Sequence, residues 1–261
     1  MRAFLFLILC LTTLAPSWSF ASPEADVATV LNDPRFASAQ RALSDGHGRT
    51  VADIIRLTEI PAPPFGEAQR AEAFRADLLA AGLKDVRIDA EGNVTGVRAG
   101  GRTSGKGPFV VVAAHLDTVF PAGTDVTVRR TGWRLAAPGI GDNSRSLATL
   151  LAWIRALDAA NITTEKDLLF VGNVGEEGPG DLRGVRYLFK EGAYSGRIET
   201  FFSVDGSDPA RLVTGGVGSR RYRVNFTGPG GHSYGAFGMV NPMVAMAGVV
   251  TRLYAVVPVH F

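Results

Sequence analysis

Six residues stand where apolar runs break into loops, and together they could do chemistry. His115 and Asp117 follow the run 109–114, Glu176 and Glu177 follow 168–171, and Asp205 follows 201–204. Asp142 lies in Gly139-Ile140-Gly141-Asp142-Asn143-Ser144. One imidazole with several carboxylates and no thiolate is a donor set for a hydrolytic divalent-cation site. A two-ion site of this kind needs one carboxylate shared between the ions. Asp142 is the bridging candidate, because it falls between the two strand-end clusters among glycines. His115 and Asp117 are two residues apart, so an extended backbone points both to one side. That placement lets Asp117 orient the ring of His115. Adjacent side chains diverge, so Glu176 and Glu177 are expected to divide two roles, one ligating and the other taking a proton from water.

Each signal alone has a plainer reading. A His-x-Asp pair can be structural, and a Glu-Glu pair before Gly-Pro-Gly can be a polar loop. Asp142 can be a helix cap and Asp205-Gly206 a turn. Their joint placement carries the argument. The intervals from His115 to Asp142, Asp142 to Glu176 and Glu176 to Asp205 are 27, 34 and 29 residues. Successive strand–helix units require intervals of about that size.

The positioning elements follow from the patterning. Residues 109–114 are apolar without alternation, as a strand buried on both faces is, and 168–171 and 201–204, the latter apolar apart from Ser203, read as two more buried strands. Between them, Leu147, Leu150, Leu151, Ile154 and Leu157 form a helical stripe. A second helix is expected over 182–190, capped by Asp181. Strand–helix–strand–helix–strand predicts an α/β fold with a mostly parallel sheet and flanking helices, its ligand site beyond the carboxyl ends of the strands. Upstream, residues 23–60 read as two helical pieces with a loop at Ser44-Asp45-Gly46-His47-Gly48, His47 being solvated. The second piece carries Val51, Ile54, Ile55 and Leu57 on one face. A helix is expected over 67–82 with Phe74, Leu78 and Leu79 on one side, then short strands at 86–88 and 93–97. Residues 126–128 and 133–135 suggest a surface hairpin. Beyond a boundary near 215–218, residues 220–226 alternate like a half-wet strand, and 241–253 read as a helix.

Arg2 precedes an apolar stretch over 3–14, and Ser19-Phe20-Ala21 offers small residues for signal cleavage. The expectation is a signal peptide over 1–21, a secreted or periplasmic protein, and no membrane attachment after cleavage. The lone cysteine, Cys10, would leave with it, removing disulfides and thiolate ligands from consideration. The 261-residue chain has a net charge of +2 and no basic block interleaved with aromatics, so it carries no nucleic-acid footprint. No Gly-x-Gly-x-x-Gly follows a strand, which disfavours dinucleotide enzymes.

His115-Leu116-Asp117-Thr118-Val119, Gly141-Asp142-Asn143, Gly175-Glu176-Glu177-Gly178 and Val204-Asp205-Gly206 resemble the motifs of the M20 (M20/M25/M40) zinc metallopeptidases. Asp205 in place of Glu leans toward the peptidase T-like aminopeptidase and dipeptidase branch. Ile60-Pro61-Ala62-Pro63-Pro64-Phe65-Gly66-Glu67 is similar to the segment near the family's N-terminus. Gly228-Pro229-Gly230-Gly231-His232-Ser233 is similar to the start of its inserted lid, or dimerisation, domain. The resemblance implies two co-catalytic Zn2+ ions, with Co2+ or Mn2+ as substitutes. It implies that His115 and Asp205 bind one ion, Glu177 the other, and Asp142 both. Glu176 would be the general base for a metal-activated water, Asp117 the orienting carboxylate, and His232 a lid histidine reaching the substrate of a partner subunit. It also implies a cis Asp142-Asn143 peptide, a catalytic domain over 22–215, a small α+β lid beginning over 216–261, and a homodimer formed through that lid. The implied activity is exopeptidase hydrolysis of short peptides. The alternatives are an N-acyl amino acid amidohydrolase of the same family or a catalytically dead module.

The family pattern has one more zinc-ligand histidine after the chain returns from the lid. The only later histidine here, His260, follows the first lid helix and does not fit that place. The expectation is therefore a C-terminally truncated reading of a longer protein, poorly active alone.

Overall fold

The computed structural model describes residues 23–206, 208, 210–216, 218 and 221–257. The expected signal segment and His260 lie outside the described residues. The chain divides between Pro209 and Ala210 into two compact units.

The first unit opens with three helices, α1 (Pro23–Leu31), α2 (Pro34–Asp45) and α3 (His47–Thr58), where two were expected. The predicted glycine loop shrinks to a single break at Gly46, and His47 is the exposed first residue of α3. Helix α4 (Ala68–Ala80) buries Phe74 and Leu78, but Leu79 lies one position round and faces solvent. Strands β1 (Lys84–Ile88), β2 (Val94–Arg98) and β3 (Phe109–His115) follow, then the hairpin of β4 (Arg129–Thr131) and β5 (Arg134–Ala136). That hairpin starts three residues later than the apolar residues at 126–128 suggested. Its strands are short and mostly exposed, so no core face holds the register at Val126 and Val128. Helix α5 (Arg145–Ala159), β6 (Asp167–Asn173), α6 (Arg183–Lys190) and β7 (Ile198–Ser203) complete the unit.

The five-stranded sheet has the order β1-β2-β6-β3-β7. Strand β3 runs parallel to β6 and to β7, while β2 runs antiparallel to β6 and to β1. The sheet is thus mixed, parallel in the three strands that carry the chemistry. Side-chain alternation divides its faces. Ala114, Leu116 and Phe170 pack with Leu57, Phe74, Leu78, Leu147, Leu150, Leu151 and Ile154, beneath α3, α4 and α5. Phe109, Val111, Ala113, Leu169 and Val171 pack with Leu188 of α6 and Tyr194. Each buried Val, Leu, Ile or Phe among them contributes about 1.5–3 kcal/mol of burial energy. Strand β7 was expected to be buried. It is an edge strand among the described residues, opposite β1, with Phe202 half exposed.

Asp181 does not cap α6. Asp181 and Leu182 both take left-handed backbone angles (φ 51° and 58°), and the Asp181 carboxylate reaches Arg186 at 3.3 Å instead. In the second unit, α7 (Pro242–Val256) is capped by Asn241, whose side chain accepts the Met243 N–H at 2.9 Å. Residues 221–226 form no strand; all but Phe226 are exposed and no partner strand lies beside them among the described residues. No described helix is long and apolar enough to cross a membrane.

The glycine-rich loop before β3 is closed by Asp167, the first residue of β6. Its buried carboxylate accepts the N–H groups of Gly100, Gly105 and Gly107, each at 2.7 Å. Burial alone would raise its pKa, but these donors hold it below the usual carboxylate range. Asp167→Asn should destabilise the chain by about 2 kcal/mol at pH 7, read by urea unfolding. A depressed pKa stabilises above the unfolded value of about 3.9 and is lost as pH falls through the folded one. The gap between wild type and variant should therefore narrow below about pH 4.

Candidate metal centre

All six candidate residues of the first unit sit at the carboxyl ends of β3, β6 and β7 or in the turn before α5. Pairing in register puts His115 beside Asn173, the last residue of β6, so the loops leaving both strands start level. The Leu116 N–H donates to the Asn173 carbonyl at 2.7 Å and extends that pairing by one residue. Asp117, fully buried, then turns its carboxylate toward the loop after β6. Oδ1 accepts the Glu176 N–H at 3.0 Å and Oδ2 accepts the Glu177 N–H at 2.8 Å. Gly175 makes that loop possible, because its φ is 61° and a Cβ there would strike the Arg183 side chain at 2.5 Å.

Both nitrogens of His115 face acceptors. Nδ1 donates to the Asp117 carbonyl at 3.0 Å and lies 3.6 Å from its carboxylate. Nε2 lies 2.8 Å from Asp142 Oδ1 and 3.8 Å from Asp205 Oδ2. Burial pulls the His115 pKa down. The carboxylates of Asp117, Asp205 and Glu176 outweigh it and raise the value to about 9. Asp117 shows the converse. Burial would raise it, but His115 and the two backbone donors hold it low.

The turn Ile140–Ser144 carries Asp142 out of helical geometry (φ −134°, ψ 90°), and the Asp142-Asn143 peptide is cis. Gly139, with φ 75°, passes so near Thr118 that a Cβ would meet its methyl at 2.7 Å. Asn143 is buried and its Nδ2 donates to the Val204 carbonyl at 3.0 Å, tying this turn to the residue before Asp205. The side chain of Asp142 is 61% exposed and that of Asp205 is 38% exposed, whereas His115 is 1% exposed. The floor of the site is dry and its rim is open to solvent.

Among the described residues, donor atoms lie within 4.8 Å of one another inside each of two trios: His115, Asp142 and Glu177, and His115, Glu176 and Asp205. The donor chemistry, one imidazole and four carboxylates, fits hard or borderline divalent cations. Glu176, expected apart from the ligands, comes as close to His115 and Asp205 as a ligand would. Burial holds its pKa above the ordinary range, with Asp205, Asp117 and Asp142 adding to this against His115. Glu177 is raised likewise by burial, Asp142 and Glu176. His232 lies in the second unit, where its Nδ1 accepts the N–H of Tyr234 at 3.3 Å. Sequence patterning missed Arg70, which is fully buried and donates to the Leu116 carbonyl at 2.8 Å. A signal was present, since Arg70, Phe74 and Leu78 recur at four-residue spacing and share one helical stripe.

Comparison with known proteins bears on the family and the fold. Residues 111–256 match the family described as Peptidase family M20/M25/M40. The chain is 33% identical over 127 residues to the [LysW]-lysine hydrolase of Deinococcus radiodurans, covering 48% of this chain and 32% of that protein. The chain thus spans about a third of the length of the curated relatives it matches. Its fold is similar to that of the di-peptidase Dug1p of Saccharomyces cerevisiae, with TM-score 0.60 and 14% identity over 82% of this chain and 52% of that one. Aminopeptidase PepT of Bacillus cereus gives TM-score 0.51 and 22% identity over 62% of this chain and 44% of that one. The family match runs over more than half of the sequence and contains every residue of the first-unit cluster, and the chain belongs to Peptidase family M20/M25/M40.

Proposed function

We propose that this chain carries the metal centre of an exopeptidase that hydrolyses short peptides with two Zn2+ ions. The observation that carries this reading is the convergence of His115 Nε2 with the carboxylates of Asp142, Glu176, Glu177 and Asp205 at one sheet edge, in two overlapping donor trios. His115 and Asp205 would hold one ion, Glu177 the other, and the exposed Asp142 would reach both. Bound divalent cations supply the Lewis acidity that acidifies water and polarises the scissile carbonyl. The chain's own residues do the rest. Asp117 fixes the His115 ring through Nδ1 and leaves Nε2 as the ligating nitrogen. Glu176, half buried and more basic than an ordinary carboxylate, accepts the proton of the attacking water and returns it to the leaving amine.

Two of the structural neighbours are an aminopeptidase and a di-peptidase, which supports peptide substrates. The curated relative is named a hydrolase of [LysW]-lysine, which supports an amide-bond amidohydrolase as the second reading. A panel of free di- and tripeptides against N-acyl amino acids, N-acyl-lysine included, separates them. Residues 1–21 support a secreted or periplasmic protein. The Gly228–Ser233 motif and the exposed apolar residues of α7 support a dimer formed through the second unit as a lid.

Elemental analysis should find two zinc ions per chain, and a chain that takes up none would contradict the proposal. Glu176→Gln should lower turnover of the preferred substrate by about 10²–10⁴-fold and leave the zinc content unchanged. The raised His115 pKa means that a metal competes with one proton at neutral pH. Zinc affinity measured in a non-chelating buffer should tighten about tenfold per pH unit from 7 toward 9 and then level off. A flat profile would show that His115 is not a ligand.

A further inference from the structure

Arg70 is a cation in a place that should not hold one. It lies on α4 with no exposed surface, and no carboxylate comes within ion-pair distance of it among the described residues. Buried charges are ordinarily paired, because desolvation is costly. Burial lowers its pKa to about 10, with Asp117 opposing, so it remains an arginine cation at neutral pH. The guanidinium is satisfied only by backbone carbonyls. Nε and Nη2 donate to Ile60 at 3.0 and 2.6 Å, Nη2 also reaches Thr58 at 3.4 Å, and Nη1 donates to Leu116 at 2.8 Å.

Those carbonyls belong to two segments far apart in sequence. Thr58 ends α3, where helix carbonyls lack intrahelical partners and the helix dipole is negative, so a cation is favoured there. Leu116 is the residue between His115 and Asp117. Its N–H is taken by the Asn173 carbonyl at 2.7 Å and its C=O by Arg70. The next residue but one, Thr118, donates its N–H to Ala62 at 3.0 Å, beside the same α3 end. Both peptide planes flanking Leu116 are thereby fixed. Those planes set the directions of the His115 and Asp117 side chains. A planar fork with donors spread over three nitrogens can bridge Ile60, Thr58 and Leu116 at once, and a single ammonium cannot.

We infer that Arg70 is a positioning residue of the metal centre, clamping the Leu116 carbonyl to the end of α3 so that His115 and Asp117 hold their aim. The inference rests on the metal-hydrolase reading above and assigns a residue to it outside the ligand set.

Zinc titration calorimetry on the full chain, with Arg70→Lys and Arg70→Met beside wild type and Asp167→Asn, tests it. Asp167 lies at the opposite end of the same sheet, so its variant reports what lost stability alone does. Arg70→Lys should keep a cooperative thermal transition yet bind zinc about 10–100-fold more weakly, and Arg70→Met more weakly still. Asp167→Asn should melt earlier with zinc affinity unchanged. By hydrogen exchange, residues 109–118 should lose protection in Arg70→Lys while 145–159 keep theirs. Zinc affinity equal to wild type in Arg70→Lys overturns the inference alone. So does a protection loss spread evenly over both segments, or the absence of a cooperative transition in Arg70→Lys, since Arg70 would then serve the whole fold. If Arg70→Met does not fold, Arg70→Lys decides. A wild-type chain that binds no zinc overturns the metal reading, and the inference with it.

Discussion

Asp117 is fully buried, and its two oxygens are given to the successive N–H groups of Glu176 and Glu177 while its edge faces Nδ1 of His115. Three groups of the candidate centre are therefore referred to one carboxylate. The loop after β6 has no regular hydrogen-bond ladder to hold it, and the side-chain oxygens of a residue after β3 supply the missing acceptors. The geometry also settles protonation. A carbonyl can only accept, so His115 Nδ1 bears a hydrogen and Nε2 is the nitrogen turned to Asp142.

The centre gathers four further carboxylates around that histidine, and they differ in exposure. Asp142 and Asp205 reach solvent, Glu176 and Glu177 are half buried, and only Asp117 is sealed. Burial raises the proton affinity of the two glutamates, and the carboxylates beside them add to it. A sealed carboxylate is tolerable because it alone has a full set of donors. The open ones keep their hydration until something positive replaces it.

Much of this was legible before any coordinates. An apolar run that ends in His-x-Asp, Glu-Glu or Asp-Gly is visible because the core pattern stops abruptly, and the order of such runs implies parallel strands with the polar residues at one edge. What was hidden lacked a pattern to break. The β4–β5 hairpin is exposed, so hydrophobicity does not choose its register. Residues 221–226 alternate properly, but alternation forms a strand only where a partner exists. Asp181 precedes a helix as a cap would, yet its left-handed backbone turns the side chain to Arg186. Arg70 is hard to see in the sequence because arginine on a helix is ordinarily outside, even though its spacing from Phe74 places it on the buried stripe.

The level pairing of β3 with β6 has a consequence for what can change in this chain. Phe109, Val111 and Ala113 share one face, and His115 and Asp117 continue their parity. Any apolar residue of suitable size can replace another along that line. The count cannot change, because one residue gained or lost would carry His115 through the sheet to the side of Leu116. The seven-residue strand is therefore a ruler, and the centre inherits its length more strictly than its composition.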